Sequence, residues 1–307
     1  MDELACLYVG SFGLLKSATK RSPVPVSDYE GLNPDWYSNA NENDVFHVCP
    51  QALPKFVSQV LPKLTKSFIL LTNNSDLTIP DDFSRSYELL DHPLLIHWFA
   101  QNCVLTHSKL TRIPIGMDYH SLVPSTNKHL WSLPQKHSWG IKKMPTIQEA
   151  ELFAIKNSAS NRECKAYSNY HFLMTTRYGK EDRINAFKII PSQLVFYEPQ
   201  KTTRDVCWKN MVKYAFVLSP HGNGLDCHRT WEALALGCYP IVKTSGLDPL
   251  FDNLPVWIVK DWTEVTQETM NAKNEEFKSK IFSMEKLTLK YWQNIIQNAK
   301  QQNTTSG

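Results

Sequence analysis

Two residues three apart, Arg229 and Glu232, open the chemical reading. At helical spacing they share one face. An arginine there can hold a diphosphate in bidentate fashion, and a glutamate can accept both hydroxyls of a ribose. Alone, such a pair reads more readily as a surface ion pair. Its setting is more specific. The segment from Phe216 to Lys243 runs as strand, loop, helix, glycine stop and strand. The loop His221-Gly222-Asn223-Gly224 follows Ser219, and its two glycines let backbone approach a ligand closely. It delivers that ligand to a helix N-terminus, whose amides favour phosphate. Asp226 is placed to cap this helix, and Gly237 stands where a helix end takes a left-handed residue.

Around this segment, strand-like and helix-like stretches alternate in two halves, which predicts an α/β protein with largely parallel sheets. The first half shows strands over Asp44–Val48, Ser67–Thr72 and Leu110–Gly116, and helices over Leu53–Leu64 and Leu94–Asn102. Residues 121–165, rich in Pro, Ser, Lys and Asn, read as an irregular connection with one helix over Thr146–Ala159. The second half predicts strands at His171–Thr175, Gln193–Tyr197, Tyr214–Ser219, Tyr239–Val242 and Val256–Val259. Helices fall between them, and one long amphipathic helix spans Asn274–Lys300. The expected domains are 1–165, 166–273, a helix 274–300 packing back on the first, and a tail 301–307. Two Rossmann-like lobes of this kind bind ligands beyond the C-terminal ends of their strands.

The Phe216–Lys243 segment resembles the signature of the exostosin-like glycosyltransferases, family 47. There a strand ends in Ser/Cys-Pro-x-Gly, followed by Asp-x-x-Arg-x-x-Glu-Ala and Gly-Cys-x-Pro. Ser219-Pro220, Gly222, Gly224, Asp226, Arg229, Trp231-Glu232-Ala233 and Gly237-Cys238 with Pro240 match it. His221 stands where many members carry Arg, and Ser219 and His228 depart from the commonest eukaryotic residues. Leu247-Asp248-Pro249-Leu250, Trp98-Phe99-Ala100-Gln101-Asn102 and Ile113–His120 resemble the compact branch of bacteria and large DNA viruses. The resemblance implies a GT-B fold and an inverting transferase using a nucleotide-diphosphate sugar. A UDP-sugar is expected, UDP-xylose first, with a glycan as acceptor. A protein of the same fold that binds nucleotide or glycan without catalysis is the alternative.

Inversion needs a base near the acceptor hydroxyl. Asp76, after the Ser67–Thr72 strand, is the first candidate, then Asp118 and His120. Thr175 and Arg183, around a strand–helix turn, join the expected donor site. No Asp-x-Asp motif is present, so the reaction is expected to need neither metal nor cofactor. A Ser219 hydrolase lacks the G-x-S-x-G elbow. Cys227 and His228, neighbours on a helix, point about 100° apart and make a poor dyad.

Composition narrows the classes further. Net charge is +3 over 307 residues, with no basic block to suggest nucleic acid. No run of about 18 apolar residues or secretory leader pattern occurs. The seven cysteines follow no metal spacing. A soluble, cytoplasmic protein without a membrane span is expected, and Asn73-Asn74-Ser75 and Asn303-Thr304-Thr305 are read as chance glycosylation patterns.

Overall fold

The computed structural model describes residues 3–22, 32–124, 136–137 and 139–304. Part of the expected irregular connection (125–135 and 138) and Thr305 with the last residues of the tail lie outside the described residues. The chain forms a mixed α/β structure with two parallel sheets.

The first sheet has the sequential order β1 (Asp44–His47), β2 (Phe68–Thr72), β3 (Leu95–Gln101) and β4 (Leu110–Ile113). Every residue of β2, Phe-Ile-Leu-Leu-Thr, is buried, as a central parallel strand covered on both faces requires. α1 (Ser11–Lys16) packs through Leu14 on the face of Val45, Ile69 and Phe99, and a helical run 53–63, made of α2 (Leu53–Lys55), a π turn (Phe56–Val60) and a 3-10 turn (Leu61–Lys63), packs on the opposite face with Phe46, Leu70 and Trp98. The short helix α3 (Ser86–Leu90) leads into β3.

β3 corrects the expectation of a helix over Leu94–Asn102. Leu95-Ile-His-Trp-Phe-Ala-Gln is an apolar run whose period is ambiguous, and pairing on both sides decides it. Leu71 registers with Phe99, and Phe99 with Thr111. Trp98 Nε1 donates to Thr72 Oγ1 across the strands at 2.8 Å.

A small antiparallel pair, β5 (Lys136–His137) and β6 (Gly140–Ile141), precedes α4 (Pro145–Asn157). The second sheet then uses β7 (Glu163–Ser168), β8 (Val195–Tyr197), β9 (Tyr214–Leu218), β10 (Tyr239–Lys243) and β11 (Trp257–Val259). Its spatial order is β8-β7-β9-β10-β11. Helices α5 (Asp182–Ile189), α6 (Arg204–Met211) and α7 (His228–Ala235) connect these strands.

β7 is the second correction. The strand expected at His171–Thr175 is a 3-10 turn (Tyr170–Phe172) and an irregular loop. The strand lies upstream as Glu-Cys-Lys-Ala-Tyr-Ser, where charged residues in the exposed first half hide a buried second half. The single C-terminal helix is the third correction. It is two helices, α8 (Gln267–Ser279) and α9 (Leu289–Thr304), and Ile281 between them is fully exposed. Lys280 leaves the helix in an extended conformation.

α9 lies against the first half of the chain. Leu289 N donates to Leu7 O at 2.9 Å, Gln293 Nε2 to Ser17 Oγ at 3.0 Å, and Val9 N to Leu287 O at 2.8 Å. Trp292 and Ile296 join a core that contains Ile69 and Phe99 of one sheet and Tyr167 and Val217 of the other. One apolar cluster thus runs through both sheets.

The exit of β4 is held by close backbone contact. Gly116 has φ +68°, and Met117 N donates to Val9 O at 2.7 Å. A Cβ on Gly116 would stand 2.2 Å from the Val9 carbonyl oxygen. Gly116→Ala therefore combines left-handed strain with a backbone clash, and is expected to lose about 1–3 kcal/mol in urea unfolding. A loss within about 0.5 kcal/mol would show that the Val9 segment is free to withdraw.

Candidate functional site

Two adjoining cavities, each about 290 Å³, lie at the strand ends, and one of them is lined from both sheets. They share Trp139, Asn169, Leu173, Cys207 and Arg229, so they form one cleft. Its walls come from strand ends. Asp76 follows β2, Asp118 follows β4, Asn169 follows β7, Glu198 follows β8 and Gly222–Gly224 follow β9. In the second sheet, β7 has β8 on one side and β9 on the other. The chain therefore leaves in opposite directions there, and the crevice at such a switch point is where parallel sheets bind ligands. Asn169 and the Gly222–Gly224 loop flank that crevice.

Asp226 forms part of the floor, and it is not the helix cap. Cys227 occupies the N-cap position of α7 and makes no side-chain cap bond. The buried Asp226 carboxylate instead accepts from Ile115 N at 2.7 Å and from Trp231 Nε1 at 2.8 Å. Its own backbone N donates to Asn102 Oδ1 at 2.9 Å. Gly224 makes this approach possible, since a Cβ there would sit 2.7 Å from Asn102 Nδ2. Burial outweighs the hydrogen bonds and lifts the carboxyl to about 6.

Two arginines meet in the same cavity. Arg229 Nε donates to Asn169 Oδ1 at 3.0 Å, while its Nη1 is buried without a hydrogen-bond partner among the described residues. Its guanidinium lies 5.8 Å from the centre of the Tyr170 ring. Arg183 Nε donates to His221 O at 3.0 Å and Nη1 to Leu173 O at 2.8 Å. Gly222 leaves room for it, because a Cβ there would lie 2.6 Å from Arg183 Nη2. Burial and the Arg229 charge push the Arg183 guanidinium below its usual range. No carboxylate pairs with either arginine among the described residues. Arg177, by contrast, is spent on Asp82, with Nη2 3.0 Å from Oδ1. The buried Thr176 Oγ1, also without a partner among the described residues, lines the cavity beside them.

The first sheet contributes an acid–histidine cluster. Asp118 Oδ1 lies 3.3 Å from His120 Nδ1 and accepts from Ser121 N at 3.1 Å. Burial works to raise the Asp118 carboxyl, but the charges of His120, His228 and Arg204 prevail and hold it at about 2. His228 Nδ1 is 2.7 Å from the Gly116 carbonyl oxygen. A carbonyl only accepts, so Nδ1 is the ring nitrogen that donates in this bond. Glu232, also on the cavity wall, is raised by burial.

Of the expected donor residues, Gly222, Asn223, Gly224, Asp226, Arg229, Glu232 and Arg183 line the cleft together. Asp76 and Asp118 line it from the first sheet. Three do not. Ser219 is buried against Thr230 with 2.8 Å between hydroxyls, His221 lies 3.4 Å from the buried Asp182, and Thr175 is exposed one residue short of Thr176. His120 does not line the cleft itself; it lies behind two residues that do, 3.3 Å from Asp118 Oδ1 and with its ring 5.3 Å from that of His228. Asn169, Trp139 and His228 are lining residues that motif reasoning missed. Asn169 follows a strand end and would have been found had β7 been placed correctly. His228 carried a signal in its position beside Arg229, and Trp139 carried none.

Asp226 gives a pH test. Its folded carboxyl, at about 6, lies above its unfolded value of 3.8, so the folded chain holds this proton more tightly. The stabilisation is full below the unfolded value and is lost as pH rises through about 6. Asp226→Asn removes this dependence. The wild-type-minus-variant unfolding free energy should therefore fall by about 2–3 kcal/mol between roughly pH 4 and 7. Urea denaturation across that range checks it, and a flat difference would mean an unshifted carboxyl.

No protein-family model and no curated protein sequence matches this chain, and the reading of its site stands on the residues and their geometry.

Proposed function

We propose that this protein is an inverting glycosyltransferase. It moves a sugar from a nucleotide-diphosphate donor, a UDP-sugar with UDP-xylose as first choice, to a glycan acceptor. On this reading the two sheets are the Rossmann-like lobes of a GT-B enzyme. The observation that carries the proposal is the Arg183–Arg229 pair. Two neighbouring guanidiniums, with no carboxylate paired to either among the described residues, face one cavity at a strand switch point. Such a pair is repulsive until an anion joins it, and a diphosphate supplies that anion with bidentate geometry. The resemblance of the Phe216–Lys243 segment to exostosin-like transferases points the same way.

The residues divide the work. Arg229 Nη1, buried and unsatisfied, donates to the leaving diphosphate as charge builds on it. Glu232 accepts the ribose hydroxyls, and Phe172, Leu173 and Trp139 give the adjoining cavity its apolar lining for the base. The acceptor oxygen attacks the anomeric carbon while the bond to the diphosphate breaks, and the bonding pair leaves with the phosphate. The hydroxyl proton passes to a carboxylate of the first sheet. Asp76 is exposed at the cavity wall and available. Asp118, held at about 2 and paired with His120, is the weaker base. The arginines meet the diphosphate charge themselves, so transfer is expected without a metal on the phosphates.

The direct test is thermal stabilisation by UDP and UDP-sugars, since a ligand of the folded state raises its melting point. Stabilisation by UDP that persists in EDTA is expected, and no response to any nucleotide would overturn the reading. With a donor in hand, Arg229→Ala should lower kcat by about 10²-fold in a folded protein. Asp76→Asn should stop transfer and keep UDP binding; if transfer survives, Asp76 is not the base.

A further inference from the structure

The geometry points to a binding site for a divalent first-row metal ion, formed by Asp118, His120 and His228 at the edge of the cleft. One ligand atom from each lies within 4.8 Å of the others. The set draws on both halves of the chain. Asp118 and His120 follow β4, and His228 is the first residue of α7. It uses neither of the arginines assigned to the diphosphate, so it goes beyond the sugar-transfer reading and does not depend on it.

The distances and donor types suit such an ion. In a tetrahedral shell with ligands about 2.0–2.1 Å from the metal, neighbouring ligand atoms stand about 3.3 Å apart. Oδ1 of Asp118 and Nδ1 of His120 are already 3.3 Å apart, and only a modest movement of His228 closes the third corner. Two imidazoles and one carboxylate favour zinc or a neighbouring transition metal over magnesium or calcium. Three protein ligands leave a fourth position for water or a substrate oxygen, as in catalytic rather than structural sites.

The surroundings supply the outer support that metal ligands need. His228 Nδ1 donates to the Gly116 carbonyl at 2.7 Å, which in the neutral ring leaves Nε2 as the lone-pair nitrogen. That carbonyl belongs to a residue pinned by its left-handed backbone against Val9. Ser121 N donates to Asp118 Oδ1 at 3.1 Å. The His120 ring lies 5.4 Å from Phe12, which shields one side. One neighbour opposes a cation. Arg204 Nη1 lies 3.9 Å from Asp118 Oδ2. Its guanidinium is committed to the Asp118 carbonyl and Gln148 Oε1, and it stacks 4.9 Å over Trp208.

The test uses the full chain, stripped with EDTA and dialysed, with zinc and cobalt chlorides as probes. Equilibrium dialysis should show one zinc per chain. Cobalt should give visible d–d absorption without thiolate charge-transfer bands, which separates this site from the cysteines. His228→Gln should weaken zinc binding by at least about 10-fold, with the metal-free circular dichroism and urea midpoint showing that it folds. If it does not fold, His120→Gln is measured in the same way. Absence of stoichiometric zinc, or equal affinity in a folded variant, overturns the site and leaves an Asp–His ion pair. UDP binding in EDTA is measured separately, so loss of one reading does not remove the other.

Discussion

A single buried carboxylate, Asp226, holds the cleft in register. It reaches from the loop after β9 to the Ile115 amide beyond β4, and it binds the indole of Trp231 one turn into α7. Burying a charge is costly unless its lone pairs are met by donors. Here they are met by donors from both halves of the chain, so the cost is offset only when the halves are together. The contacts around it repeat the pattern. Asn102 Oδ1 takes the Asp226 amide, His228 reaches the Gly116 carbonyl, and the hydroxyls of Thr78 and Tyr178 meet at 2.7 Å.

This constraint explains the glycines better than loop flexibility does. Gly224 lets Asn102 approach, Gly222 admits Arg183, and Gly116 passes under Val9. Each is a place where another chain segment occupies the space of a side chain. The cleft is shaped by what these residues lack.

The cleft is also divided electrically. Beside α7 and the Gly222 loop, two guanidiniums stand together with no carboxylate paired to either among the described residues. Toward β4, Asp118, Glu232 and two histidines gather with one arginine already committed. The first environment favours an anion, and the second accepts a cation or a proton. The sugar transfer we propose would use both, one to hold the leaving charge and one to manage the incoming nucleophile.

The order strand, glycine loop, helix, glycine stop, strand was legible from Phe216 to Lys243 because each junction has local chemistry of its own. Gly237 does adopt φ +77°, and Arg229 and Glu232 do share a cavity. Composition and alternation likewise determined an α/β chain, and no helix among the described residues is long and apolar enough to cross a membrane. Tertiary structure alone decided the rest. The Leu95–Gln101 run became a strand through its neighbours, and β7 hid its buried half behind charged residues. Asp226, at a position that reads as a cap, turned to a partner 111 residues away because burial left its carboxylate no water. Local propensity acts over a few residues, whereas these outcomes were set by groups that the chain brings together only when it folds.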